Sequence, residues 1–336
     1  MNIEYKEVDH RIWEEELSWW VPNKIFDAHT HIFRPQDCLL KPDDPDNPRP
    51  KYLDEWGVID VDVTRQWNEA LLPGREVHYV LLPGVWRATD WDSCVEFMAQ
   101  SVASENDPLS VAAMPIHPSM TPEWVDEKLR QYRLAGMKPY RTMTDDPVDC
   151  RITDMVPEPL LEVADDWGLI ITMHMAKQRA LADPENWQDI QRLSAKYPRI
   201  RWILAHCARC FAPWAIRDSI EHIADLPNVW IDISAVCASA VFDILLEKFP
   251  TERIMYGSDG LAGWDRGKYF WWGYTWDFMP GKEGGTPHAS SEPTFVLYEE
   301  LRSLGHTLRV YDWDQELIQS IFWGNAMRLL HGSSDA

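Results

Sequence analysis

The sequence predicts an α/β protein of the (β/α)8, TIM-type barrel class, and three observations carry that prediction. Eight short apolar, β-branched runs begin near positions 25, 77, 109, 136, 168, 200, 228 and 253. Most successive starts are about 25 to 32 residues apart, the length of a strand plus a crossover helix. Polar residues able to bind or react stand at the C-terminal ends of four of these runs, where a parallel barrel gathers its active groups. An open doubly wound sheet permits the same alternation. Residues from the first, fifth, sixth and eighth strands meet more readily in a closed barrel.

The elements follow in order. Residues 1–22 read as an N-terminal helical extension and 23–336 as the barrel domain. The first strand, at Ile25 and Phe26, runs into Asp27-Ala28-His29-Thr30-His31, and a connection rich in Pro and Asp occupies 34–76. Residues 77–82 and 109–114 are the second and third strands. Thr121 is a cap and Pro122 a start for the helix over 123–132. The fourth strand spans 136–141, and a helix over 158–167 stops at Gly168. The fifth and sixth strands, 169–174 and 200–206, flank a helical pattern at 187–193. Helices are expected over 211–224 and 238–248, around the seventh strand at 229–233, and the eighth strand spans 254–256. Residues 260–293, with His288 and the aromatic run Lys268-Tyr-Phe-Trp-Trp-Gly-Tyr-Thr-Trp276, form a second long connection. Long structureless segments in a compact domain are usually functional loops or lids.

Composition sets the outer limits. With 336 residues, 45% of them hydrophobic, the chain can bury a substantial core. A net charge of -22 argues against nucleic acid and against anionic membrane surfaces as partners. Six scattered cysteines suit reduced thiols better than a disulfide framework. The Glu-rich first 20 residues lack the apolar stretch of a signal peptide, and no run of 18 apolar residues exists. A cytoplasmic location is expected.

The chemistry lies at the strand ends. Side chains two apart on a strand share a face, so His29 and His31 can share one cation. His174, His206 and Asp259 each close an apolar strand of their own. Neutral imidazole and carboxylate are ligands for zinc, manganese or iron, and three histidines with one aspartate leave a position open, the catalytic pattern. Such an ion lowers the pKa of bound water towards ~7. His206 is then available to hold that water, polarise a carbonyl or shuttle a proton.

Asp27-Ala-His-Thr-His31, His174, His206, Gly257-Ser-Asp259 and the closing run Ile321-Phe-Trp-Gly-Asn-Ala-Met-Arg-Leu-Leu330 together resemble the amidohydrolase superfamily. The likeness is to its amidohydrolase-related branch, the aminocarboxymuconate-semialdehyde decarboxylase-like enzymes. It implies a barrel holding one divalent ion, zinc first, with manganese or iron as alternatives. By that resemblance His29, His31, His174 and Asp259 are the ligands, and His206 is the catalytic acid or base. It also implies a homodimer as a possible state. Binuclear relatives bridge their metals with a carboxylated lysine on strand four. Lys138 lies on that strand, but Pro139 follows it, and it is expected to turn elsewhere or to pair with a carboxylate.

For a small-molecule substrate, Arg34, Arg87, Arg141 and Arg209 each lie just past a strand end, and arginine suits bidentate carboxylate binding. Arg141 and Arg209 are preferred. The Trp-rich run either stacks on a ring or is plain packing. Cys207-Ala-Arg-Cys210 has no partner pair and reads as structural, and His117 is a further pocket candidate. The leading functional expectation is a metal-dependent hydrolase in which activated water attacks a small carboxylated or cyclic substrate (lactone, amide or C–C bond), with Asp259 taking the proton. The alternatives are a metal-dependent non-oxidative decarboxylase of an aromatic or enoic acid, and a non-catalytic binding protein on the same scaffold.

Overall fold

The computed structural model describes residues 3–44, 48–103, 107–281 and 292–332. Eight parallel strands follow in chain order: β1 (Lys24–His31), β2 (Glu76–Leu82), β3 (Val111–Ile116), β4 (Gly136–Pro139), β5 (Ile170–Met173), β6 (Arg201–Leu204), β7 (Val229–Asp232) and β8 (Ile254–Met255). Each pairs with the next. The ends of the sheet then meet: Ala28 N–H donates to the Tyr256 carbonyl at 2.9 Å, and Asp259 N–H to that of His29 at 2.7 Å. The sheet is thereby closed into the (β/α)8 barrel. Glycine is required at this seam, because a Cβ on Gly260 would lie 2.0 Å from Thr30 Oγ1.

Alternation along each strand divides the apolar residues into two layers. Phe26, Ala28, Val80, Leu82, Ala113, Ile170, Ile203 and Met255 fill the lumen, which Trp323 and Met327 close from below. Ile25, Leu81, Met114, Ile171, Trp202, Leu204 and Ile254 face the surrounding helices. One register shift interrupts the pattern, on β1 between Asp27 and Thr30.

The helices keep most of their sequence signals. Thr121 accepts from Trp124 N–H and Pro122 opens the helix Pro122–Tyr132. The helix Glu158–Trp167 ends at Gly168 in the left-handed region, φ 61°. Three expectations need correction. The helix foreseen over 211–224 is only Pro213–Arg217, followed by a turn of 3-10 helix at Ile220–His222. Ser219 causes the break: its hydroxyl takes the Ala215 carbonyl at 2.6 Å, while its N–H turns to Ile216. The 34–76 connection contains its own helix, Val61–Leu71, capped by Asp60. The aromatic run after β8 is no structureless loop but an antiparallel hairpin, β9 (Gly267–Trp272) and β10 (Thr275–Pro280), turning at Gly273 and Tyr274. His288 lies outside the described residues.

Candidate metal centre

The β1 register shift makes the site. Phe26 and Ala28 belong to the lumen, so unbroken alternation would aim residues 29 and 31 at the helices. Instead Ile32 packs in the outer layer, and the phase change turns both histidines inward. Asp27 supports the irregular backbone by accepting from His29 N–H at 3.0 Å and from Ser258 N–H and Oγ at 2.9 and 2.5 Å. His29 Nε2 and His31 Nε2 then lie 3.4 Å apart. Asp259 brings Oδ1 to 3.6 Å from His29 Nε2 and 3.9 Å from His31 Nε2, and its Oδ2 to 3.9 Å from His206 Nε2.

Each of three rings uses Nδ1 outside this cluster. His29 Nδ1 reaches Asp232 Oδ2 at 2.9 Å, His31 Nδ1 the Pro83 carbonyl at 2.8 Å, and His206 Nδ1 the Ser234 carbonyl at 3.0 Å. These acceptors place the proton on Nδ1 and leave Nε2 as a lone pair. Burial first, and then the Lys138 charge, hold His29 and His31 well below the ordinary histidine pKa. Burial likewise pushes His206 down to about 4. Neutral imidazoles aim lone pairs at one point beside a carboxylate, an arrangement that fits a divalent cation. Among the described residues, His29, His206 and Asp259 offer donor atoms all within 4.8 Å of one another. His174 stands next to them, its ring centroid 5.3 Å from that of His206, with Nδ1 buried and unpartnered.

His206 rests on unusual backbone. It opens four consecutive residues in the left-handed region, His206, Cys207, Ala208 and Arg209, with φ of 59°, 51°, 56° and 61°. Such a conformation costs about 1–2 kcal/mol per non-glycine residue, and strain of this kind collects at functional sites. Cys207 and Cys210 are buried free thiols within and just after this turn.

The cluster floors a pocket of about 360 Å³ walled by Tyr52, Tyr140, Phe211, Tyr269 and Trp276. The hairpin therefore supplies two of the aromatic walls. Arg141 and Arg209 line this pocket. Arg209 Nη1 is tied to the Met175 and Lys177 carbonyls at 3.2 and 2.6 Å, and Arg141 has a buried Nε without a partner. Arg34 lies elsewhere, bound to Asp37 at 3.0 Å and to Ser93. Arg87 pairs with Asp145 and lines, with His117, a larger open cleft of about 1270 Å³. Lys138 departs from expectation: it is fully buried and aimed into the centre, Nζ 3.5 Å from His29 Nε2. Burial pushes the Lys138 ammonium down against the pull of Asp259 and Asp232, and burial pushes the Asp259 carboxyl up against Lys138.

Asp232 and Ser234 were missed in the sequence, although the signal that marked the other residues was present. They stand at and just past the end of β7, in Trp230-Ile-Asp-Ile-Ser234. Lys138 faces the lumen because Met137, its neighbour on β4, packs in the outer layer.

A family model described as Amidohydrolase matches residues 26–332. No curated protein matches the sequence. Three similar solved structures share the fold. A 4-oxalomesaconate hydratase from Rhodopseudomonas palustris is 16% identical, with TM-score 0.53, over 91% of this chain and 95% of its own. A zinc-bound amidohydrolase from Burkholderia multivorans is 14% identical, with TM-score 0.57, over 91% and 98%. A 5-carboxyvanillate decarboxylase from Novosphingobium aromaticivorans, complexed with manganese and 4-hydroxy-3-methoxy-5-nitrobenzoic acid, is 12% identical, with TM-score 0.57, over 91% and 95%.

Proposed function

The chain belongs to the amidohydrolase family, and from that premise we propose that it is a metal-dependent hydrolase of a small carboxylated or cyclic substrate. The observation that carries this is the convergence of neutral imidazole lone pairs on the Asp259 carboxylate at the floor of an aromatic pocket. His29, His31, His174 and Asp259 would hold the ion, with His206 beside them. Zinc is the first choice, and manganese has support from the similar decarboxylase. When bound, such an ion supplies a water of lowered pKa and polarises a carbonyl.

The chain's own residues supply the rest. Arg141 and Arg209 are the proposed carboxylate contacts. Tyr140, Phe211, Tyr269 and Trp276 stack on a planar substrate and exclude bulk water. His206 Nε2 faces the pocket as a neutral acceptor, able to take a proton and return it to a leaving group. Asp259 is the proposed acceptor for the proton of the attacking water. A cytoplasmic location is part of the same reading, supported by six buried free thiols. Among the described residues no helix is long and apolar enough to cross a membrane.

The similar decarboxylase favours a second reading, removal of CO2 from an aromatic or enoic acid. Two measurements test the pair. Metal content of protein purified without added metal or chelator is expected near one equivalent per chain; none, with no activity gained on adding zinc or manganese, sinks both readings. Turnover in oxygen-18 water then decides between them: label in the organic product means hydrolysis, and CO2 release with an unlabelled organic product means decarboxylation.

A further inference from the structure

Asp232 is fully buried at the C-terminal end of β7, and four donors converge on its carboxylate. His29 Nδ1 lies 2.9 Å from Oδ2. Oδ1 accepts from the backbone N–H of His206 at 3.0 Å, from Ser234 N–H at 3.2 Å and from Ser234 Oγ at 2.5 Å. Three of these donors crowd Oδ1 and His29 takes Oδ2, so the carboxylate is engaged mainly in holding its neighbours. Its work is done through other residues.

Ser234 completes the arrangement. With its hydroxyl proton given to Asp232, Oγ accepts from His206 Nδ1 at 2.9 Å, beside its own backbone carbonyl at 3.0 Å. Every partner facing His29 Nδ1 and His206 Nδ1 is thus an acceptor. The same carboxylate also holds the His206 backbone, the first residue of the left-handed turn. Asp232 therefore touches one histidine through its ring and the other through its main chain, and those rings lie 4.9 Å apart.

We propose that Asp232 and Ser234 are a positioning pair that sets the Nδ1–H tautomer of His29 and His206 together, so that both Nε2 lone pairs face one point. The inference rests on the metal-centre reading above. Carboxylate partners of this kind raise the basicity of a ligand imidazole and fix its orientation, and their loss typically weakens metal binding 10- to 100-fold.

The test is nitrogen-15 NMR of the histidine rings in metal-free protein, paired with zinc titration of the same samples. Wild type is expected to show Nδ1–H at both rings. Asp232→Asn, nearly isosteric, is expected to move one ring towards Nε2–H and to weaken zinc binding about 10- to 100-fold. Ser234→Ala, which leaves the backbone carbonyl in place, is expected to add a minor Nε2–H population at His206 that Ser234→Thr removes. If folded Asp232→Asn keeps both tautomers and the wild-type zinc affinity, the positioning role is overturned. Should that variant fail to fold, unchanged His206 signals in Ser234→Ala overturn it instead. A wild-type protein that binds no zinc overturns the metal-centre reading, whatever the tautomers show.

Discussion

At the scale of single residues, the division of labour between His174 and His206 is the sharpest question the site poses. Family resemblance makes His174 a ligand and His206 the acid or base, whereas His206 itself brings a donor atom within 4.8 Å of those of His29 and Asp259. Two variants separate these roles. His174→Ala is expected to lose most zinc affinity. His206→Asn is expected to keep zinc and to lose about 10²- to 10⁴-fold in rate, the usual contribution of a general acid or base. The reverse pattern by zinc titration and steady-state kinetics would assign His206 to the metal. The identities of these residues were legible because each ends an apolar strand. Their partners were not, because Pro83 and Asp232 lie 52 and 203 positions away from the rings they orient.

At the scale of elements, β2 and β3 are pinned together by a charged pair below the site. Asp107 accepts from His78 Nδ1 at 2.6 Å, from Leu109 and Ser110 N–H at 3.1 Å, and from Ser110 Oγ at 2.5 Å. Although burial opposes both charges, the hydrogen bonds that His78 donates to Asp107 and Glu76 raise its pKa, and those that Asp107 accepts from His78 and Ser110 lower that of the aspartate. A raised histidine adds stability in full below its unfolded pKa of about 6.5, and that stability is lost as pH rises through the folded value. The lowered aspartate adds stability above about pH 3.9, lost as pH falls through its folded value. His78→Gln is therefore expected to cost about 1.5–3 kcal/mol near pH 6 and clearly less near pH 9. Equal losses at both pH values in thermal melts would refute the pair's contribution. The hairpin shows how far local reading reached: its aromatic, β-prone composition was plain, but the pairing of Tyr269 with Phe278 across a two-residue turn was not inferred.

At the scale of the whole molecule, the N-terminal segment is built into the barrel. Trp13, Leu17 and Trp20 join the outer core, and fully buried Asp9 binds Arg266 at 2.6 Å and Thr294 Oγ1 at 2.7 Å. Asp9→Ala leaves the Arg266 charge uncompensated and is expected to cost about 3–5 kcal/mol, read as a lower Tm; an unchanged melt would remove the segment from the stability of the fold. The sequence by itself determined the eight-strand alternation, the bounds of the helices Pro122–Tyr132, Glu158–Trp167 and Ser239–Lys248, and the residues at the strand ends, because strand period, capping and apolar patterning act over a few neighbouring residues. Only the tertiary structure decided that the β1 phase change turns His29 and His31 into the lumen. It likewise decided that Lys138 joins them and that β7 supplies the carboxylate behind two rings. Those outcomes depend on closing the barrel, where Gly260 meets Thr30 and hydrogen bonds span more than 200 residues of chain, and no local pattern encodes that closure.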